Sequence, residues 1–379
     1  MSASGRARDA VKARADTMAC VILDAGPRSV PHHQFAAAIQ AILDGRIAEL
    51  AHDRNAVCYR VRLTARDGAA PVAIVKVPRP GPQRTNADAT FAWEARMLAS
   101  LPAAGIVDAP ILLARIAASG THFLFMSEVP GRHPDAQTHP LDAGQLQAIL
   151  DRLGAMDRLG FMHYDLKTAN ILLDADRAGF VDFEFARFHD RCSAYAPTTA
   201  AFCADFNVSS NPFFPARSNV ANFEFRSLDR YLSELGATRS AAAADALLHA
   251  WLRGKSSYHQ RRARFIAGLA ETSVERFAVA GGISTEEAGA RLRAAAAHED
   301  VLAALLKEPS DAAVRIERLL MAFRRAVFER RTGDAEALRQ TMQAGIRHES
   351  SCAHALPDAY RRAIARTLEL VGRSTHPYG

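Results

Sequence analysis

Residues 163–188 read HYDLKTANILLDADRAGFVDFEFARF, in which two short apolar strands flank a polar loop. Asp165, Asn170 and Asp182 stand beside these strands and fall within a span of 18 residues. Phosphoryl transfer needs such a set, because the protein must hold metal ions against phosphate oxygens and orient a hydroxyl in line with the leaving group. Carboxylate and amide oxygens suit Mg²⁺. Asn170 and Asp182 are therefore predicted metal ligands, and Asp165 is expected to face the acceptor hydroxyl.

The chain before this loop has the pattern of a small antiparallel sheet with one helix. Apolar residues alternate in VCYRVRL and VAIVKV, which are separated by the turn residues Asp67 and Gly68. Two further apolar runs, ILLARIA and THFLFM, would complete a sheet of about five strands. The predicted elements are strands near 47–50, 57–63, 72–77, 111–117 and 121–126, and helices over 33–43 and 87–100.

The pattern changes to helical after Pro130 and Gly131. A helix predicted over 141–159 leads into the polar loop, and almost everything beyond residue 225 has helical spacing. ALLHAWL at 246–252 has helical spacing, and further helices are predicted over 259–280, 285–297 and 311–330. The fold class predicted from this order is α+β, with a small sheet first and a helical body after it.

Composition limits the kinds of protein to which the chain can belong. It has 379 residues, of which 49% are hydrophobic and 23% are charged, as in a soluble globular protein of two or three folded units. No apolar run approaches the roughly 18 residues that a membrane span requires. Residues 1–19 lack the apolar core of a secretory signal, so a cytoplasmic location is expected, with export by a route without such a signal left open.

The charge distribution argues against nucleic-acid binding. The formal charge is +6, and residues 251–379 carry the whole surplus, with 21 Lys and Arg against 15 Asp and Glu. The arginine pairs of this region are interleaved with glutamates and lie beside helical apolar stripes, as on a solvated helix face. Because no dense basic run or aromatic platform accompanies them, no nucleic-acid partner is expected.

The loop and its surroundings resemble the protein-kinase-like superfamily. HYDLKTANILL is similar to the catalytic-loop pattern HxDLxxxN, and VDFEFA is similar to the DFG segment. VAIVKV matches the strand that carries the phosphate-binding lysine, here Lys76, and Glu94 follows 18 residues later in FAWEARML, where the family places that lysine's partner. FLFMSEVPG resembles the strand and hinge that receive adenine. The resemblance covers about residues 45–235, with the motifs in the family's order.

The resemblance implies a role for each matching residue. Asp165 would orient or accept the hydroxyl proton, Lys167 would neutralise charge on the γ-phosphate, and Asn170 and Asp182 would hold Mg²⁺. ATP and Mg²⁺ are the implied cofactors. The segment AHDRNAVCY contains no glycine where the family has a glycine-rich loop, so phosphate contacts there fall to backbone amides. The implied nucleotide-binding residues are Lys76, Glu94, Arg54, Asn55, Met126, Glu128 and Val129, with Met126 as gatekeeper and the last two in the hinge.

The family fold also implies a division of the chain. We expect an N-terminal extension, partly helical, over 1–44, a kinase N-lobe over 45–129 and a C-lobe over 130–290. Residues 291–379 are expected to form an added helical region. The predicted architecture is therefore the bilobal protein-kinase-like fold.

The sequence predicts an ATP-dependent kinase that acts on a hydroxyl, with a Ser or Thr of a protein as the favoured acceptor and two alternatives left open. Lys167 is the residue that Ser/Thr protein kinases place after Asp-Leu, which favours a protein hydroxyl as the acceptor. Glu184 in place of the DFG glycine, and Tyr164 in place of the catalytic-loop arginine, favour a small-molecule hydroxyl, as in choline and aminoglycoside kinases. The missing glycine loop favours a pseudokinase scaffold that binds partners through the basic helices of 251–379.

Overall fold

The structure is a computed structural model that describes residues 20–26, 30–52, 56–64, 72–79, 87–175, 177–188, 219–329 and 332–349. The chain divides into two compact units. Unit 1 comprises the chain up to Pro130 together with Gly179–Phe185, and unit 2 comprises Gly131–Ala178 together with the chain from Ala186 onward. Most strands belong to unit 1 and most helices to unit 2, which confirms the predicted α+β class. The four-part division predicted from the sequence stays a prediction.

Unit 1 contains a six-stranded antiparallel sheet in the order β1-β5-β6-β4-β3-β2. The five predicted strands are present, and β1 is an additional strand at one edge. Its sequence, CVILDA, does not alternate between apolar and polar residues, so the sequence pattern did not indicate a strand here. Val21 and Leu23 are exposed in the structure. The strands are β1 (Cys20–Ala25), β2 (Glu49–His52), β3 (Ala56–Arg62), β4 (Val72–Pro78), β5 (Leu112–Ala118) and β6 (Thr121–Ser127).

The two faces of this sheet have different tasks. Helix α1 (His32–Leu43) covers one face, where Phe35 packs edge-on against Phe125 with ring centroids 4.9 Å apart, and Val75 is fully buried in the same cluster. Each such side chain contributes about 1.5–3 kcal/mol by leaving water. Successive residues of a strand point to opposite faces, so Lys76 lies on the other face of β4, in register with Cys58 and Leu124. Helix α2 (Ala87–Ser100) also belongs to unit 1 and carries Glu94.

Unit 2 is mainly helical. Helix α3 (Ala143–Arg158) begins at a capping box formed by Asp142 and Gln145. Two short strand pairs follow, β7 (Phe161–Met162) with β10 (Arg187–Phe188) and β8 (Ile171–Asp174) with β9 (Arg177–Phe180). The later helices are α4 (Asn219–Phe223), continued by a π-helical turn (Glu224–Leu228) and α5 (Asp229–Thr238), then α6 (Ala241–Thr272), α7 (Val274–Gly281), α8 (Thr285–Lys307), α9 (Asp311–Phe328) and α10 (Thr332–Glu349).

The helix predicted over 259–280 has the wrong bounds. A single helix of 32 residues, α6, contains its first half, and the non-helical backbone of Ser273 separates α6 from α7. Helix α6 begins eighteen residues before the predicted start, at the N-cap Ser240, whose side chain accepts a hydrogen bond from the Ala243 amide. The helices predicted over 141–159 and 311–330 are confirmed to within about two residues at each end.

A glycine fixes the start of unit 2 against the strand that follows the polar loop. Gly131 has φ +125°, and a Cβ at this position would lie 2.7 Å from the backbone of Leu173 in β8. Arg132 and Leu173 exchange two backbone hydrogen bonds of 2.9 Å. Only glycine permits this approach, which anchors β8 immediately after Asn170.

A buried network of charges links two helices of unit 2, α6 and α9, to the π-helical turn. Glu224 accepts hydrogen bonds from Trp251 Nε1 (2.9 Å) and from Arg324 Nη1 (2.8 Å), and its Oε1 lies 2.8 Å from Lys255 Nζ. Lys255 Nζ also lies 3.1 Å from Glu317 Oε2. Burial favours the protonated form of Glu224, but Lys255 and Arg324 outweigh it and lower the pKa of Glu224 to about 2. Two carboxylates and two cations thus compensate one another in the core.

Replacing Arg324 with Met should destabilise unit 2 strongly. The variant leaves the Glu224 carboxylate buried with one cation fewer, and breaking a buried pair from one side costs about 3–5 kcal/mol. Arg318→Met is the matched control on the same helix, because Arg318 is exposed and its pair with Asp245 is worth at most about 1 kcal/mol. Urea unfolding followed by circular dichroism measures both variants. Equal losses in the two would contradict the assignment of Arg324 to the buried network.

The same network predicts acid sensitivity. A carboxyl whose folded pKa is about 2, against a usual 4.5, contributes stability that is fully present above pH 4.5 and is lost as the pH falls towards 2. Glu299 has its pKa lowered to about 2 as well and contributes over the same window, so Glu224→Gln should reduce the pH dependence without abolishing it. At pH 7 this variant should be less stable than the wild type. Unfolding free energies measured from pH 7 to pH 2 test both expectations.

Candidate active site

Lys76 forms the centre of an ionic cluster within unit 1. Its ammonium lies 2.9 Å from Glu94 Oε2, 2.6 Å from Asp182 Oδ1 and 3.5 Å from Glu184 Oε2. The lysine side chain is 6% exposed, and Glu94 is completely buried. Three elements therefore bring their charges to one point: strand β4, helix α2 and the segment Gly179–Phe185.

Electrostatics keep this lysine charged. Burial alone would lower the pKa of Lys76, but the carboxylates of Glu94, Asp182 and Glu184 outweigh burial and raise it well above its ordinary value. For Glu94, burial dominates over the attraction of Lys76, and the pKa of Glu94 is raised. One ammonium thus faces three acids, so the cluster has a surplus of acidic groups. Such a surplus suits the binding of a further cation beside Asp182.

The segment Gly179–Phe185 is fixed in unit 1 by its backbone as well as by its acids. The Phe180 amide donates to the Asp108 carbonyl (3.0 Å), and the Phe183 amide donates to Glu94 Oε1 (3.1 Å). Phe180 and Phe183 are completely buried and anchor the segment on either side of Asp182. Asp182 itself has φ +68°, a left-handed conformation that costs a non-glycine residue about 1 kcal/mol or more. Such strain is typical of residues held for function.

The polar loop of unit 2 brings Asp165, Lys167 and Asn170 together. Asp165 is buried, and its Oδ2 receives both Lys167 Nζ and Asn170 Nδ2 at 2.9 Å. Asn170 Nδ2 also donates to the Asp165 carbonyl (2.9 Å). Because the amide nitrogen is occupied by Asp165, the amide oxygen of Asn170 is the atom suited to a metal. Arg226 is a further partner that the sequence did not predict, and its Nη2 lies 2.5 Å from Asp165 Oδ1.

Asn219, at the start of α4, holds the strand that leads into this loop. Its Oδ1 accepts from the His163 amide (2.9 Å), and its Nδ2 donates to the Phe161 carbonyl (2.6 Å) and to Asp157 Oδ1 (2.8 Å). The Asp157 carboxylate is in turn fixed by the hydroxyl of Tyr258 (3.0 Å). His163 is completely buried, and its Nδ1 accepts from the Asp165 amide at 3.4 Å, which fits a structural role.

The π-helical turn holds the loop from the other side. The Arg226 Nη1 donates to the Tyr164 carbonyl (2.7 Å), and the Ser227 hydroxyl donates to the Leu166 carbonyl (2.5 Å). Asn222, just before the turn, accepts from the Leu166 amide at 3.3 Å. A π-helix usually occurs as a single turn within an α-helix, and such turns are frequent at functional sites.

Sequence reasoning missed four side chains that build the loop and one that builds the lysine cluster. Asn219, Asn222 and Arg226 recur at intervals of three and four residues among buried apolar residues, a helical polar stripe that could have indicated a loop-facing side. Ser227 carried no comparable signal. Glu184 was noted as a marker of substrate class, and its contact with Lys76 depends on the fold of the segment around Asp182.

The residues predicted to receive adenine lie at the end of β6. Met126 is buried and is paired in register with Ile74 and Leu112. The Glu128 amide donates to the Val72 carbonyl (3.1 Å), while its carboxylate accepts from Arg60 Nη2 (2.8 Å). Val129 follows and is partly buried. Arg54 and Asn55, the predicted phosphate contacts, lie outside the described residues.

Each unit offers an oxygen donor of the type that suits magnesium bound together with a nucleotide. Within the described parts of the chain, no three His, Cys, Asp or Glu side chains are grouped so that they alone could hold a metal ion. Mg²⁺ is usually bound by one or two side-chain oxygens together with phosphate oxygens and water, so the Asp182 carboxylate in unit 1 and the Asn170 amide oxygen in unit 2 are each a ligand of a suitable type. Cysteine and histidine are not needed in such a site.

The fold, the Lys76 cluster of unit 1 and the Asp165 loop of unit 2 are those of a protein-kinase-like chain. A family model for the phosphotransferase enzyme family, APH, matches residues 46–159 and 143–263, which together are more than half of the chain. The chain therefore belongs to this family, which confirms its predicted membership of the protein-kinase-like superfamily. A search of curated proteins found no match. Among the described residues, no helix is long and apolar enough to cross a membrane.

Asn219→Ala should destabilise unit 2 more than Asn222→Ala does. The first variant removes the partners of the His163 amide and the Phe161 carbonyl, and each buried group left unsatisfied costs about 1–3 kcal/mol. The second removes one long hydrogen bond to Leu166, worth about 1 kcal/mol. Both replace the same residue type in one helix, so helix propensity is matched. Equal urea midpoints for the two variants would show that Asn219 does not hold the loop.

Proposed function

We propose that the chain is an ATP-dependent kinase that transfers the γ-phosphate of ATP to a hydroxyl group in the presence of Mg²⁺. The observation that carries the proposal is the ammonium of Lys76, which is held by Glu94 and Asp182 from separate elements of unit 1. A buried lysine with this set of partners is suited to polyphosphate binding, because the amine stays charged and its position is fixed. Membership of a phosphotransferase family supports the same reaction class.

Unit 1 supplies nucleotide binding in this proposal. Lys76 binds the α- and β-phosphates, Glu94 holds the ammonium in place, and Asp182 provides a carboxylate for the metal. Met126, Glu128 and Val129 receive the adenine in this proposal, while the phosphate contacts predicted for Arg54 and Asn55 stay a prediction from the sequence. Bound Mg²⁺ would neutralise phosphate charge as the γ-phosphate is transferred.

Unit 2 supplies the groups that act on the acceptor. The acceptor oxygen forms a bond to the γ-phosphorus while the bond from that phosphorus to the ADP oxygen breaks, and the hydroxyl proton passes to the Asp165 carboxylate. Lys167, whose side chain is 42% exposed and 2.9 Å from Asp165, is placed to neutralise charge on the transferred group. Asn170 is the second proposed metal ligand through its amide oxygen.

A small-molecule hydroxyl is the acceptor that the observations favour. The matching family is of the choline and aminoglycoside kinase type, and Glu184, which marks that type, is buried beside Lys76 rather than exposed. A Ser or Thr hydroxyl of a protein is the second candidate, favoured by the contact between Lys167 and Asp165. The pseudokinase scaffold is less well supported, because Lys76, Glu94 and Asp182 keep the arrangement that nucleotide binding requires.

Incubation of the full chain with ATP labelled in the γ-phosphate and with Mg²⁺ tests the acceptor class. One arm contains amino-alcohols, aminoglycosides and simple sugars, and the other contains casein-type proteins and the chain itself. We expect label in small molecules. Label only in protein would replace the first acceptor with the second, and release of no ADP in either arm, water included, would refute the kinase proposal.

Asp182→Asn and Asp165→Asn should each lower ADP release by at least about 100-fold. The first removes the proposed metal carboxylate and the second the proposed proton acceptor. Asp174→Asn is the matched control, because it replaces the same carboxylate with an amide at an exposed position at the end of β8. Its activity should stay within about twofold of the wild type. If Asp182→Asn and Asp174→Asn had equal activity, the assigned role of Asp182 would be wrong.

A further inference from the structure

The contacts of Asp165 leave one direction for an incoming hydroxyl. A carboxylate offers about four acceptor positions, two on each oxygen. Oδ2 receives both Lys167 Nζ and Asn170 Nδ2, and Oδ1 receives Arg226 Nη2. Among the contacts within the described residues, the remaining acceptor position is therefore on Oδ1, beside the guanidinium of Arg226. The group that fixes Oδ1 decides where that position points.

Arg226 also fixes the backbone immediately before Asp165. Tyr164 has φ +63°, a left-handed conformation that favours glycine, and its carbonyl accepts from Arg226 Nη1 at 2.7 Å. A single guanidinium thus holds the backbone on one nitrogen and the carboxylate on the other. The planar fork of arginine can do both at once, whereas the compact ammonium of lysine cannot match that geometry.

The position of Arg226 is itself rigid. It lies in the middle of the π-helical turn, between Glu224, which is bound by Lys255 and Arg324, and Asp229, whose Oδ2 lies 3.1 Å from Arg325 Nη1. Charges on both sides of Arg226 therefore attach the turn to helices α6 and α9. Only 23% of the Arg226 side chain is exposed, so it is held between the turn and the loop.

We propose that Arg226 is a positioning residue for phosphate transfer: it orients Asp165 so that the remaining acceptor position of Oδ1 meets the hydroxyl. The inference rests on the proposed kinase function and assigns a role outside the loop motif. Arg226 also places a cation beside Asp165, where Tyr164 occupies the position of the catalytic-loop arginine. The orientation of Asp165 then depends on a helix of the same unit.

The test uses the full chain and measures ADP release with water as the acceptor, so that it does not depend on the identity of the natural acceptor. Arg226→Gln should lower turnover by about 100-fold, since a misplaced reacting group costs about that factor. The dissociation constant for ATP should stay close to that of the wild type, and circular dichroism should show that the variant remains folded under the assay conditions. Arg226→Lys should recover part of the loss. Arg230→Gln, on the following turn and 74% exposed, should leave turnover unchanged.

Chemical rescue separates positioning from a merely structural contribution. Guanidinium at millimolar concentration, well below denaturing levels, should raise the turnover of Arg226→Ala at least tenfold and should leave Arg230→Ala unaffected. Three results would overturn the inference. The first is a turnover of Arg226→Gln within threefold of the wild type. The others are a loss of turnover that weaker ATP binding or unfolding explains completely, and a loss of turnover in Arg226→Ala that guanidinium does not restore. A wild-type chain that releases no ADP would instead refute the proposed kinase function.

Discussion

A buried ammonium is the constraint on which unit 1 depends. An isolated charge of this kind cannot remain ionised inside a protein without partners, so Lys76 requires the carboxylates that surround it. Those carboxylates come from α2 and from a segment more than eighty residues further along the chain, around Asp182. The requirement therefore determines which elements of unit 1 meet on this face of the sheet. The opposite face packs against α1 through apolar side chains. One face of the sheet therefore contributes mainly to stability, and the other carries the charged cluster.

Unit 2 contains a buried group of the opposite charge that also requires partners. The buried carboxylate of Asp165 is surrounded by donors from Lys167, Asn170 and Arg226. In both units a residue with a left-handed backbone, Asp182 in one and Tyr164 in the other, is retained because neighbouring side chains fix the segment. Strain and buried charge thus occur together, as they do where a site is held ready for its ligand.

The sequence predicted the parts of the site that follow a fixed spacing along the chain. Lys76, Glu94, Asp165 and Asn170 lie in motifs that resemble those of the kinase family, and that resemblance implied their roles. Apolar alternation and short apolar runs located five strands of the sheet, β2 to β6. Arg226 was not predicted, because its contact joins residues 61 positions apart through a π-helical turn that no local pattern indicates.

The few lysines of the chain serve different purposes. Two of the five lysines, Lys76 and Lys167, lie at motif positions, but Lys255 is committed to the buried pair with Glu224 and Glu317. A lysine is suitable there because its compact ammonium reaches two carboxylates from one helix. The contact between Lys255 and Glu224 restrains the π-helical turn from which Arg226 projects. Lys255 therefore supports the polar loop indirectly, by holding the turn in place. The stability of the helical core and the geometry around Asp165 are therefore not independent: a substitution at Glu224 that relaxes the turn must also release the guanidinium that orients Asp165.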